Sequence, residues 1–217
     1  MKLSLRSILF SVMILVVGCS DNSTNVGDSN NGFNISADLE CTDGLSNDKY
    51  ECNNIDLVAR ISPQNLLAEP LDDGQALNDI WGWTDPETGT EYALVGLVCG
   101  VAFVDLSTPS EPQVIGKLDE PESVSNTSGK TGRRAELMHE EKSSWRDFKV
   151  YQNHLYVVSD GQPHGMQIFD LTRLREVEDP PVMFQEDYLY EEFGEAHNIA
   201  INEETGYGYV GGSNTYG

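Results

Sequence analysis

Residues 143–172 read SSWRDFKVYQNHLYVVSDGQPHGMQIFDLT, and their patterning decides the fold. Positions 147–151 alternate apolar and polar side chains, a period of two that predicts a half-buried strand. Gln152, Asn153 and His154 predict a tight turn. Residues 155–158 form a short run of β-branched and aromatic side chains, and 165–171 alternate again after a loop of Gly and Pro. Three such strands in succession predict a small antiparallel sheet.

Parts of this unit recur on both sides. The first copy runs from Asn78-Asp79-Ile80-Trp81 through a turn at 85–89 and a strand at 92–96 to Gly100 and the run ending Asp105-Leu106-Ser107. The copy at the centre has Arg146-Asp147-Phe148-Lys149, then 155–158, then Gly165 and the run ending Asp170-Leu171-Thr172. A third opens His197-Asn198-Ile199, turns at 202–206 and enters 207–212. Each turn ends in Thr-Gly or contains Asn, which suits hairpins that need a positive φ. In the shared G-x-x-Φ-Φ-D-L-[ST] ending, Gly starts the strand, the apolar pairs Phe103-Val104 and Ile168-Phe169 bury, and Asp105 or Asp170 bonds the following backbone. Residues 114–118 and 182–184 are expected as outer strands. Four short strands per repeat, in series, predict an all-β fold of the β-propeller kind, with blades at about 79–118, 146–184 and 197–217. About three blades fall short of the ~4–8 of a closed propeller. The expectation is therefore an incomplete propeller whose reading frame continues, and a 20–217 product that associates or packs loosely.

The chain has 217 residues and a formal net charge of −23, with 36 acidic against 13 basic residues. That balance argues against nucleic acid or anionic lipid surfaces as partners. Residues 1–7 carry Lys2 and Arg6, and 8–17 are continuously apolar except for Ser11. This run is short of the ~20 residues that span a bilayer and fits the core of a signal peptide. It ends Leu15-Val16-Val17-Gly18-Cys19, similar to a bacterial lipobox. Residues 1–18 are read as a lipoprotein signal peptide and Cys19 as the lipidated residue, which would attach the protein to a bacterial membrane, the outer membrane above all, facing the periplasm or exterior. Ordinary signal cleavage, with Cys19 incidental, is the competing reading. Cleavage removes Lys2 and Arg6, so 13 basic residues become 11 against 36 acidic ones. Residues 19–38 are Asn/Ser/Gly-rich and read as a disordered tether.

Cys41 and Cys52 bracket TDGLSNDKYE, and in an exported segment a disulfide is the expected pairing. Cys99 reads as a small buried hydrophobe. Residues 39–78 are taken as an N-terminal cap, with Ile55, Leu57, Val58, Ile61, Leu66 and Leu67 on one apolar face over the first sheet. The stretch 119–142 holds Lys130, Arg133 and Arg134; a solvated loop is favoured there over a patch for an acidic partner. A second connection, 185–196, carries Tyr188, Tyr190 and Phe193 and is expected to line one end of the propeller.

These residues resemble the bacterial choice-of-anchor B family, whose repeats are called LVIVD. The resemblance is carried by Cys41-x-x-Gly44, Tyr50-x-Cys52-x-Asn54-x-Asp56-Leu57, Asp79-Ile80-Trp81-Gly82, Ala93-Leu94-Val95-Gly96, Ser144-Trp145-Arg146-Asp147, His164-Gly165-Met166-Gln167 and Ala196-His197-Asn198-Ile199. It implies an exported propeller of four-stranded LVIVD blades fastened to the cell surface, here by a lipid, and it brings no established reaction. The 119–142 stretch departs from the family pattern.

His154 belongs to a turn. His139 opens HEEKS, where Ser143 stands in place of a second zinc ligand. Asp79, Trp81, Asp147, His164, His197 and Asn198 remain as a candidate ligand face at one end of the propeller. Asp79, Asp147 and Asn198 hold equivalent repeat positions, which favours a structural role over catalysis. No G-x-S-x-G elbow, phosphate loop or C-x-x-C is present. Neither a cofactor nor a metal is implied. Two functions stay open: a surface-displayed binding or scaffold protein for a protein or glycan, and an extracytoplasmic hydrolase or lyase using His and Asp at the funnel.

Overall fold

The computed structural model describes residues 40–46, 50–121, 143–161 and 163–214. The expected signal peptide, Cys19, the tether, His139 and the basic residues of 122–142 lie outside them. An N-terminal hairpin pairs β1 (Leu45–Ser46) with β2 (Tyr50–Glu51) and is closed by the Cys41–Cys52 disulfide. A 3-10 turn follows at Pro63–Leu66, started by the Ser62 hydroxyl accepting from the Asn65 amide and by Pro63 at the first helical position.

The first sheet contains β3 (Leu77–Thr84), β4 (Glu91–Leu97), β5 (Gly100–Asp105) and β6 (Gln113–Leu118), antiparallel in chain order. The second contains β7 (Arg146–Tyr151), β8 (His154–Ser159) and β9 (Met166–Asp170). The turns are those expected of the sequence: Gly89 and Gly206 have φ of 75° and 73°, and Gln152 and Asn153 have φ of 48° and 61°. Asp105 and Asp170 accept from the amides of Ser107 and Thr172 at 2.6 and 2.9 Å.

The outer strands need a correction. Residues 182–184 do form a strand, β10 (Val182–Phe184), but it pairs parallel with β6 in the first sheet rather than antiparallel in the second. The strand that completes the second sheet is β11 (Tyr188–Tyr190), antiparallel to β9, inside the segment expected to be a connection. Packing explains the exchange. Phe184 stands edge-on to Phe103 and Phe169 at 5.7 and 5.2 Å, in the seam between the sheets, and the carbonyl of Val182 lies where a Cβ on Gly116 would stand. A third sheet pairs β12 (Asn198–Asn202) with β13 (Tyr207–Gly211). The fold is all-β.

The main core lies between the first two sheets. Trp83, Leu94, Val101 and Phe103 from one meet Phe148, Leu155, Val157 and Phe169 from the other. Phe103 stacks on Phe169 at 5.0 Å. Val158, Ala196 and Ile199 join the second sheet to the third. On the far side of the first sheet Leu66 and Ala68 cover Leu97, Ala102 and Val104. This cover is partial: Ile55, Val58 and Ile80 are 74%, 52% and 63% exposed, so the apolar face expected of the cap is only half engaged. Strands β3 and β12 both lie against β7, which brings the first strand of each repeat to a common line.

Candidate functional site

The common line of β3, β7 and β12 assembles a chain of side chains. Lys149 Nζ sits 4.4 Å from the Trp81 ring centroid and donates to Asp147 Oδ1 at 2.5 Å. Asp147 Oδ2 accepts from the Ile199 amide at 2.8 Å and from Asn198 Nδ2 at 3.5 Å. Burial opposes ionisation of Asp147, but the bonds from Lys149, Ile199 and Asn198 outweigh it and hold the carboxyl below its ordinary value. Trp81, Asp147 and Asn198 of the expected face are thus brought together across three sheets. Asp79 stands on β3 beside them, its carboxylate turned back on the Ile80 amide at 2.8 Å.

The two histidines are elsewhere. His164 is buried beside Arg146, whose Nη1 donates to His164 Nε2 at 2.8 Å. That bond requires Nε2 to be unprotonated, so Nδ1 carries the hydrogen and donates to the Gly165 carbonyl at 3.1 Å. Burial, reinforced by the Arg146 charge, pushes the His164 pKa down to about 3. The same guanidinium donates to the carbonyls of Leu97 and Val98 and to Glu120. His164 is therefore a neutral part of a strut between the first sheet's β4–β5 turn and the second sheet. His197 is exposed and faces Asp160, with Nδ1 3.0 Å from the carboxylate.

Beside the Trp81 chain lies an open groove of about 640 Å3, at the ends of β3 and β7, lined by Trp81, Trp83, Tyr151, Gln152, Asn153 and Glu203 among others. Trp81 is 44% exposed. Trp83 is buried, and its Nε1 donates to Asn153 Oδ1 at 3.3 Å. Gln152 Nε2 donates to the Tyr151 hydroxyl at 3.0 Å. Sequence reasoning missed Lys149, Tyr151, Gln152, Asn153 and Glu203. The signal for Lys149 was its position: it stands two residues after Asp147, as Trp81 stands two after Asp79. The others sit in hairpin turns and ends, where a turn reading accounts for the residue type and hides any second use. Among the described residues no group of three or more His, Cys, Asp and Glu gathers as a metal would require.

Fold and groove together define an all-β array of serial sheets with a ligand-sized, aromatic and polar surface where its first strands align. No family model, curated protein or solved structure matches the chain.

Proposed function

We propose that the protein is a binding or scaffold module of the propeller type, related to the LVIVD-repeat choice-of-anchor B proteins and held to a bacterial membrane through lipidated Cys19. The observation that carries the binding reading is the open groove beside Trp81. Its volume lies within the ~300–1,000 Å3 of small-molecule sites, and an exposed indole over an ordered polar lining is the composition such sites use. The serial sheets with equivalent turns and Asp105/Asp170 caps support the propeller reading. The hydrolase or lyase alternative loses ground on position. His164 is kept neutral by burial and by the arginine that fixes it, and neither it nor His197, which faces Asp160, lines the groove.

The test is to expose the purified full chain to surface polymers and ask whether a bound probe is returned intact. Reversible, saturable retention with the probe chemically unchanged is the expected result. Turnover of the probe, dependent on about one equivalent of metal per chain, would overturn the reading in favour of the hydrolase. For the anchor, Cys19→Ala is expected to move the protein from the membrane to the soluble fraction; unchanged partitioning of the variant would remove the lipid from the account.

A further inference from the structure

The lining of the groove restricts what it can hold. We propose that it binds a neutral carbohydrate chain, with a sugar ring stacked on Trp81 and hydroxyls bonded to Gln152, Asn153 and Glu203; this rests on the binding reading above and names its ligand class. A sugar ring offers one face of C–H bonds and a rim of hydroxyls that both donate and accept. It needs an exposed aromatic plane next to fixed amides and carboxylates, and the groove supplies both.

The polar groups are held in place. The Trp83 indole occupies Asn153 Oδ1, which leaves the Asn153 amide nitrogen as the donor for a ligand. The Tyr151 hydroxyl is engaged by Gln152 Nε2, which leaves Gln152 Oε1 as an acceptor. A Cβ on Gly206 would stand 3.0 Å from that hydroxyl, so the turn of the third sheet leaves room for Tyr151 while Glu203 of the same turn lines the groove. Gln152 is held at a φ of 48°, a conformation that glycine or asparagine adopts at less cost. What glutamine adds at this turn is its side-chain amide.

Competing ligand classes fit less well. A net charge of −23 and the Glu203 carboxylate disfavour anions. Lys149 covers one face of the Trp81 ring and its charge disfavours a cation there; the sugar ring is assigned to the face that lines the groove, where Lys149 does not stand. A hydrophobic peptide would leave the amides of Gln152 and Asn153 desolvated without partners. Because the groove is open rather than enclosed, it suits a stretch of chain better than a single sugar.

The experiment titrates the full chain by tryptophan fluorescence with cello-, manno-, xylo- and N-acetylchito-hexaose, with hexagalacturonate as an anionic probe, and with mixed-sequence peptides. At least one neutral hexaose is expected to saturate, with affinity reduced roughly tenfold or more by Trp81→Ala and severalfold by Asn153→Ala. Trp81→Tyr is expected to retain part of it. Trp145→Ala, which removes another exposed indole, is expected to leave affinity unchanged, and melting curves check that each variant is folded. Failure of every neutral hexaose to bind, equal affinity in folded Trp81→Ala, or preference for hexagalacturonate overturns the inference. Trp81-dependent binding of peptides alone would overturn the carbohydrate assignment while leaving the binding reading standing.

Discussion

At Asp147 a single carboxylate links the second sheet to the third and orients the lysine that sits over Trp81. Asp147→Ala would strand the Ile199 amide and release Lys149, and the expected cost is ~1–3 kcal/mol, read from denaturant midpoints. A second carboxylate, Asp85, is fully buried and gripped by Arg175 at 2.7 and 2.5 Å, with Glu87 on the third guanidinium nitrogen at 2.5 Å. The Arg175 hydrogen bonds hold the Asp85 carboxyl far below its ordinary 3.8, against the opposing effect of burial. A depressed carboxyl contributes stability above its unfolded value and loses it as pH falls below. Arg175→Ala should therefore lower the melting temperature by similar amounts at pH 7 and pH 5 and by progressively less as pH falls below 3.8, and a loss that grows on acidification would contradict the assignment. His164 acts in the same direction from a higher starting point. Its pKa falls from 6.5 in the unfolded chain to about 3, so the native state loses up to ~1.4 kcal/mol per pH unit as pH drops below 6.5. His164→Gln is expected to flatten the stability curve between pH 6.5 and 4.5; an unchanged slope there would mean that His164 titrates normally. The sequence placed Asp147 in a strand and His164 beside a strand start but could not reveal their distant partners, because Arg146 reaches His164 and Ile199 reaches Asp147 through tertiary packing.

At the level of elements, the strands of the first two repeats were legible because alternation, tight turns and the Asp-Leu-[ST] ending all agree. The outer strands were not, because β10 and β11 are only three residues each and carry no readable period. One signal was present. Gly116 interrupts the apolar run of β6, and a glycine inside a strand often marks close backbone approach. Here the Val182 carbonyl would stand 2.1 Å from a Cβ at that position. Gly116→Val is therefore expected to expel β10 and expose the Phe103–Phe169 stack, with increased proteolysis at 180–185. A variant as resistant as the parent chain would contradict the parallel pairing. Removing the stack itself by Phe169→Ala should cost ~3–5 kcal/mol, the range for truncating a buried aromatic.

On the scale of the whole molecule, the account depends on three sheets packed in series so that β3, β7 and β12 share one line. Repetition of the opening at Asp79-Ile80, Asp147-Phe148 and Asn198-Ile199 suggested equivalent first strands, yet the sequence could not say which side chains of that line face a ligand. The candidate residues split accordingly: Trp81, Asp147 and Asn198 converge, while His164 and His197 belong to other contacts. Glu203 reaches the groove only if the third sheet is docked, since it lies in the turn between β12 and β13. Docking is thus the central claim, and amide hydrogen exchange on the full chain measures it most directly. The prediction is strong protection of the Ile199 amide, lost in Asp147→Ala while the amides of β4 and β5 stay protected. Exchange of the Ile199 amide at unprotected rates in the unaltered chain would contradict the account.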